Sequence, residues 1–313
     1  MENLEKAKNL LEGFKAETKQ PAIRLTTQRS DHIAATSSKF GGLPYLPKNF
    51  AYPTCALGNR LKLLAQLNFA ELPPLADFPT SGILQFFVLH DENIGREWGN
   101  PINDGKYKVI YHKEIHENDR MTDFPEIKFV PPKFVDKSWL PKISAESFPF
   151  EGEFLVTGEL VEVPPISYTW DFNVKFKAFC EKYGIFSEFE PYFLITENFG
   201  DWLKMTETMP QEEQLATKQK SDKIEDLLIA FFGYCEWHLI GSYPFFTQED
   251  PRFYVKNSKK YDTLLFQMAS EYEQGKPKDC IMWGDMGVAN FFINRQNLQN
   301  LKFDDVLYNW DCS

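Results

Sequence analysis

A chain of 313 residues with a formal net charge of −11 and no cluster of lysine and arginine is poorly suited to nucleic acid or to an anionic membrane surface, because phosphate binding needs a basic footprint. Aromatic residues make up 16% of the chain, with 29 phenylalanines, which argues against disorder despite 20 prolines and favours aromatic-rich sheets. Five scattered cysteines without a CxxC pair fit neither a disulfide framework nor structural zinc, and point to buried thiols in a reducing cytoplasm.

In chain order, residues 2–18 predict a helix, with Leu4, Ala7, Leu10, Leu11 and Phe14 on one face and Pro21 as its stop. Its start lacks the basic end and apolar core of a signal peptide, and no run of about 18 apolar residues follows anywhere, so no membrane span is expected. From 22 to about 165 the chain is strand-like and punctuated by proline: AIRLTTQ, RLKLLAQLNF, GILQFFVLH, KYKVIYHKE and FLVTGELVEV. WDFNVKFKAFCEKYG (170–184) predicts a helix closed by Gly184. A second helix runs through 209–234, with Ile224, Leu227, Leu228 and Phe231 as its buried stripe. The last 80 residues return to strands in HLIGSYPFF, DTLLFQMAS, GVANFFI and DVLYNWDC, with CIMW as a short strand before the Gly284–Gly287 turn. One short helix interrupts them near NRQNLQN, where Asn294 is a candidate N-cap.

An internal repeat organises these elements. Gly41-Gly42-Leu43-Pro44-Tyr45, Leu63-Leu64-Ala65-Gln66 and Gly82-Ile83-Leu84-Gln85-Phe86-Phe87-Val88 recur in the same order. The second set is Gly241-Ser242-Tyr243-Pro244-Phe245, Leu264-Leu265-Phe266-Gln267 and Gly287-Val288-Ala289-Asn290-Phe291-Phe292-Ile293, at offsets of 200, 201 and 205. Each block alone arises easily by chance, whereas three in register imply a duplicated, sheet-rich unit. Strand alternation places Val288, Asn290 and Phe292 on one face of GVANFFI and Ala289, Phe291 and Ile293 on the other; both faces are mostly apolar, so the strand is expected to be covered on both sides.

KFGGLPYLPKNFAYP, LLAQLNFAELPPLADFPTSGILQFFV, HLIGSYPFFTQED, LLFQMAS, IMWGDMGVANFFI and VLYNWDC together resemble the YwqG-like family, also described as DUF1963, a family of uncharacterised function. The resemblance spans most of the chain. It implies an α+β protein of duplicated sheet units, cytosolic and bacterial, and it carries over no catalytic residue. Relatives near secreted-toxin loci imply an immunity or partner-binding role.

The candidate chemistry lies in two groups. Gln66, Gln85, Gln267 and Asn290 occupy matched strand positions; buried amides there must find partners, and either each bonds backbone or its counterpart and fixes how the sheets pack or the two copies present them to one ligand. The structural role is preferred. His238, Trp283, Asp285 and Trp310, with Asp311, fall at strand ends or turns of the second copy and could line a pocket, with an Asp–His pair for proton transfer and indoles for a flat or cationic ligand. The preferred role of Asp285 is to form the Gly-Asp-Met-Gly turn. His112 and His116 have the i, i+4 spacing of a metal pair on a helix but sit in a strand pattern, so a solvated edge is preferred and no metal site is expected. GxSxG, P-loop, GxGxxG and HExxH patterns are lacking, and no catalytic residue or cofactor is implied. The proline-rich stretches GGLPYLPKNFAYP, ELPPLADFP, VPPKF and VPPIS are read as rigid turns first and docking segments second.

These observations predict an α+β fold of two duplicated sheet-rich units packed together with flanking helices about a pseudo-twofold axis. The first repeat lies in 1–165 and the helical middle with the second repeat in 166–313, forming one integrated globule. The expected function is that of a cytosolic, non-enzymatic binding protein with a small ligand or a protein partner at the junction of the repeats. A hydrolase or transferase using carboxylates and His238 is the alternative, so whether the chain is an enzyme stays open.

Overall fold

A computed structural model of the chain describes residues 2–97, 105–131, 148–167, 169–197, 199–233, 235–272, 275 and 280–313. Pro132–Phe134 of the proline-rich VPPKF stretch lie outside these residues. The chain divides into two compact units. One comprises Met1–Gln20, Glu162–Cys235 and Tyr243–Phe245; the other comprises Pro21–Val161, Glu236–Ser242 and Phe246–Ser313.

The first unit is helical. It contains α1 (Glu2–Thr18), α2 (Trp170–Lys182), α3 (Phe186–Glu197), α4 (Phe199–Thr206) and α5 (Gln211–Phe232). Thr169 caps α2, its hydroxyl accepting from the Phe172 N–H. The core is phenylalanine-rich: Phe14 packs edge-on against Phe172, Phe176, Phe179 and Phe232, with Leu11, Tyr192 and Leu228 buried beside them. Helices α3 and α4 were not evident in the sequence. Apolar residues on all sides of α3, Leu194 and Ile195 as well as its aromatic ones, together with Pro191 inside it, hide the 3.6-residue period on which such an assignment rests. Among the described residues no helix is long and apolar enough to cross a membrane.

The second unit is built on a ten-stranded antiparallel sheet. Its strands are β1 (Gln20–Arg29), β2 (Lys39–Gly41), β3 (Lys62–Asn68), β4 (Ile83–Val88), β5 (Tyr107–His112), β6 (Glu153–Val163), β7 (His238–Ile240), β8 (Thr263–Ala269), β9 (Val288–Ile293) and β10 (Val306–Asp311). They lie in the order β10-β9-β8-β7-β1-β6-β2-β3-β4-β5. The sheet curls until its two outer strands meet and nearly closes into a barrel. The Tyr107 hydroxyl on β5 donates to the Val306 carbonyl on β10 at 2.6 Å, and the Tyr107 and Tyr308 rings lie 5.2 Å apart. The interior is filled by side chains: Phe86 lies 4.8 Å from both Phe266 and Phe291, and Phe291 stacks on Tyr308 at 4.5 Å. Each such fully buried ring contributes about 1.5–3 kcal/mol relative to exposure.

The registers of the two halves of the sheet correspond. Leu63 faces Phe87, Gln66 faces Gln85 and Asn68 faces Ile83, with an irregularity between Leu63 and Ala65. In β8 and β9, Leu264 faces Phe292, Gln267 faces Asn290 and Ala269 faces Val288, with an irregularity between Leu264 and Phe266. The bulge turns two successive residues, Leu64 and Ala65 or Leu265 and Phe266, into the core. All six residues of β9 are buried, Ala289, Phe291 and Ile293 inward and Phe292 outward under Phe246.

Two local expectations are corrected. CIMW forms no strand: Ile281 alone pairs, in an isolated bridge with Glu271. His112 is not on a solvated edge, because the connection between β2 and β3 covers it with Tyr45 and Phe50. His112 is 7% exposed between the Tyr45 and Phe50 rings, whereas the His116 side chain stays in solvent. The short helix α6 (Arg295–Gln299) forms as its cap predicts, with Asn294 Oδ1 accepting from the Gln296 and Asn297 N–H groups.

Candidate functional site

A cavity of about 460 Å³ opens on the outer face of the sheet where β2 meets β6. Ile33, Ala35, Lys39, Gly42, Leu43, Pro44, Arg120, Phe124, Gly152 and Glu153 line it. Its walls are loops, and the sheet holds them through the buried amides. Gln66 projects outward from β3 and donates from Nε2 to the Ala35 and Ser37 carbonyls, both at 2.8 Å. Its Oε1 accepts from the Tyr45 N–H at 2.7 Å and from Gln85 Nε2 at 2.8 Å. Gln85 donates again to the Tyr45 carbonyl, and its Oε1 lies 3.0 Å from His112 Nε2. Backbone carbonyls only accept, so both amide orientations are fixed and the imidazole donates from Nε2. One side of the cavity, 33–37, and the other, 42–45, are thus tied to a single amide ladder. Tyr45 extends the tie by accepting from the His116 N–H, and Lys48–Asp119 and Met121–Leu46 backbone bonds secure the segment that carries Arg120.

Lys39 lies on β2 beside Gln66, with its side chain turned outward into this region. It is 2% exposed, and its Nζ makes one hydrogen bond among the described residues, to the Ala34 carbonyl at 3.5 Å. Burial holds the amine below the ordinary lysine range; the Glu153 charge opposes that shift and the Arg120 charge adds to it. Glu153 begins β6 opposite Gly41, and its carboxylate occupies the place where a side chain at residue 42 would stand. A Cβ on Gly42 would lie 2.1 Å from Glu153 Oε2, and the φ of +67° there also calls for glycine.

His112 belongs to the same ladder. Burial lowers its pKa to about 4, so the ring is neutral at pH 7 and Gln85 keeps its donor.

The other residues singled out by sequence are placed as follows. Gln267 and Asn290 face each other in register, as Gln66 and Gln85 do, and Gln267 donates to the Trp237 carbonyl. Both pairs point outward from strands whose inward residues, Phe86, Phe266 and Phe291, pack against each other. The four amides therefore form two pairs on opposite walls and do not converge. His238 does meet a carboxylate, but it is Glu271 rather than Asp285. His238 Nε2 lies 3.1 Å from Glu271 Oε1, and Thr27 donates to Glu271 Oε2. Glu271 feels burial, which raises its pKa, yet His238 and then Thr27 outweigh it and hold the carboxyl below its usual value. The Ala269 N–H donates to His238 Nδ1, so the proton sits on Nε2. No ring lone pair remains to accept a proton from a substrate.

Trp283 is fully buried in the barrel core beside Trp310, whose indole N–H donates to the Asn93 carbonyl. Asp285 is exposed in the turn closed by the Gly287 N–H to the Trp283 carbonyl, and its own carbonyl accepts from Ser313. Gly287 admits no side chain, since a Cβ would lie 2.0 Å from the Asp311 carbonyl oxygen. Among the described residues no group of three or more His, Cys, Asp or Glu is placed to hold a metal.

Lys39, Arg120 and Glu153 carry no recognisable motif. The available signal was KFGG, in which an unpaired lysine on a buried strand precedes two glycines.

The family model of a domain of unknown function, DUF1963, matches residues 38–312, and the chain belongs to that family. The match runs from the residue before β2 to the residue after β10, so it includes the cavity residues from Lys39 onward. No curated protein matches the chain.

Proposed function

We propose that the protein is a binding protein whose ligand is a small molecule held in the cavity of Lys39, Arg120 and Glu153. The observation that carries this reading is the Lys39 amine, removed from water with one long hydrogen bond in return. A buried ammonium without good partners costs several kcal/mol, so such a group is retained where something else completes its coordination. The volume falls within the roughly 300–1,000 Å³ common to small-molecule sites. An enzymatic reading, as hydrolase or transferase, would draw on the His238–Glu271 pair, but the imidazole there is committed to the Ala269 N–H and to Glu271.

The same proposal takes the fold as a duplication about a pseudo-twofold axis. Supporting it are the matched registers and bulges of β3–β4 and β8–β9. The strand ends agree as well: the Asn68 N–H donates to Ser38 Oγ and the Ala269 N–H to His238 Nδ1, at matched positions of the two halves. A reducing, cytoplasmic setting is supported by the buried free thiols of Cys55 and Cys180.

The test is a thermal-shift and calorimetric screen of the full chain against a broad small-molecule panel, repeated with Lys39→Met. A ligand that raises Tm in the wild type and fails in the variant is the expected result. Binding that ignores Lys39, or none across the panel, would overturn the assignment.

A further inference from the structure

The cavity contains charges of both signs that do not neutralise one another. Lys39 and Arg120 are cationic and Glu153 is anionic, yet no opposite pair among them lies within 4.0 Å, although other ion pairs in the protein close to 2.6 Å. Both the Glu153 and the Arg120 charge are near enough for Lys39 to feel them. Flexible lysine and arginine side chains facing a carboxylate across a small, partly dry space ordinarily collapse onto it, because Coulomb attraction grows as the local dielectric falls. Here the framework prevents collapse. Lys39 is fixed on a strand between β3 and β6, Glu153 is seated over Gly42, and Arg120 rides on a segment tied back to Tyr45, Leu46 and Pro47.

We propose that this cavity binds a small zwitterion of the α-amino acid type, its carboxylate taken by Lys39 and Arg120 and its ammonium by Glu153. This rests on the binding reading above and names the ligand class. Two cations suit a carboxylate, which offers about four lone-pair sites and gains from charge-assisted hydrogen bonds; a single carboxylate suits an ammonium donor. Among the rest of the lining, Ile33, Leu43, Pro44 and Phe124 are apolar and select an apolar side chain. Leu43 is 58% exposed among the described residues, and a bound apolar group would cover it.

Isothermal titration of the full-length protein with L-leucine and L-phenylalanine, set against N-acetyl-L-leucine and L-leucinamide, tests this. The free amino acid is expected to bind, with acetylation and amidation each weakening it at least tenfold. Lys39→Met is expected to abolish binding, and Glu153→Gln to remove most of the discrimination against the N-acetyl form. The analogue series on the wild-type protein stands even if a variant fails to fold. If N-acetyl-L-leucine binds as well as L-leucine, the cavity is a simple anion site and the zwitterion proposal falls while the binding function stands. If no amino acid binds but another small molecule does so through Lys39, the ligand class is likewise wrong and the function survives. If neither amino acids nor the broad panel bind, both fall.

Discussion

The hydroxyl oxygens of Thr26 and Thr157 lie 2.9 Å apart between the two central strands, β1 and β6. Arg24 on β1 pairs with Leu239, and Leu155 on β6 pairs with Lys39. Lys39 and Leu239 are matched positions of the sequence repeat, which makes Arg24 and Leu155 matched too, and Thr26 and Thr157 two residues further along. Matched residues that touch each other are what a twofold axis through the sheet centre requires, and the contact supports the proposed duplication. Each half would then have lent its leading strand to the other, β1 beside β7 and β6 beside β2. Thr26→Val and Thr157→Val are expected to be coupled by about 0.2–1 kcal/mol in a double-mutant cycle, with the double variant little worse than either single one. Strict additivity would remove the contact from consideration.

Gln66→Leu should cost about 2–4 kcal/mol, because it leaves the Tyr45 N–H, Gln85 Nε2 and two carbonyls without their partner in a buried setting. Urea midpoints measure this directly. Amide exchange at 33–46 should accelerate more than exchange in β8 and β9, since the ladder ties down the cavity loops.

Acid should weaken the same region. His112 has a folded pKa of about 4 against an ordinary value of 6.5, so protonation favours the unfolded chain. Its contribution is complete above pH 6.5 and declines as the pH falls from there towards 4, by at most about 3 kcal/mol over that window. Urea unfolding at pH 7.5 and pH 5 should show a smaller difference in His112→Gln than in the wild type. An undiminished difference would assign the acid sensitivity to other groups.

Gly287→Ala should destabilise by about 1–3 kcal/mol through overpacking against the Asp311 carbonyl. Asp285→Asn, two residues away and exposed, should stay within about 0.5 kcal/mol. Thermal melts of the pair separate a turn that is architectural from one whose carboxylate matters.

Tyr107→Phe removes the hydroxyl bond to Val306 that joins β5 to β10, at an expected cost of about 1 kcal/mol. Hydrogen exchange should rise in both strands together. A rise confined to β5 would mean that the two edges do not depend on each other.

Much of this architecture could be read from the residues alone. Alternation and turn chemistry located the strands, and the repeat placed Gln66, Gln85, Gln267 and Asn290 at matched positions, whereas their facing in pairs came only with the strand registers. What stayed hidden depended on distance in the fold. Glu271 reaches His238 only because β7 and β8 are neighbours, and nothing in HLIG or SEYE signals that. Lys39, Arg120 and Glu153 come from three separated segments, and their importance lies in burial and in pairs that fail to form, neither of which has a local pattern. α3 was hidden for the opposite reason, since apolar residues on every side erase periodicity, and α4, eight residues long, is too short for a period to stand out.

The meeting of β5 and β10 also bears on solubility. A sheet whose outer strands are YKVIYH and VLYNWD would ordinarily risk pairing edge to edge with its own copies. Here each outermost strand faces the other, and the closure is made by side chains: Tyr107 to Val306, Tyr308 to the Ile94 carbonyl and Trp310 to the Asn93 carbonyl. Three aromatic side chains thus stand where gatekeeper charges stand at open sheet edges, and loosening them is expected to expose both outer strands as templates for pairing.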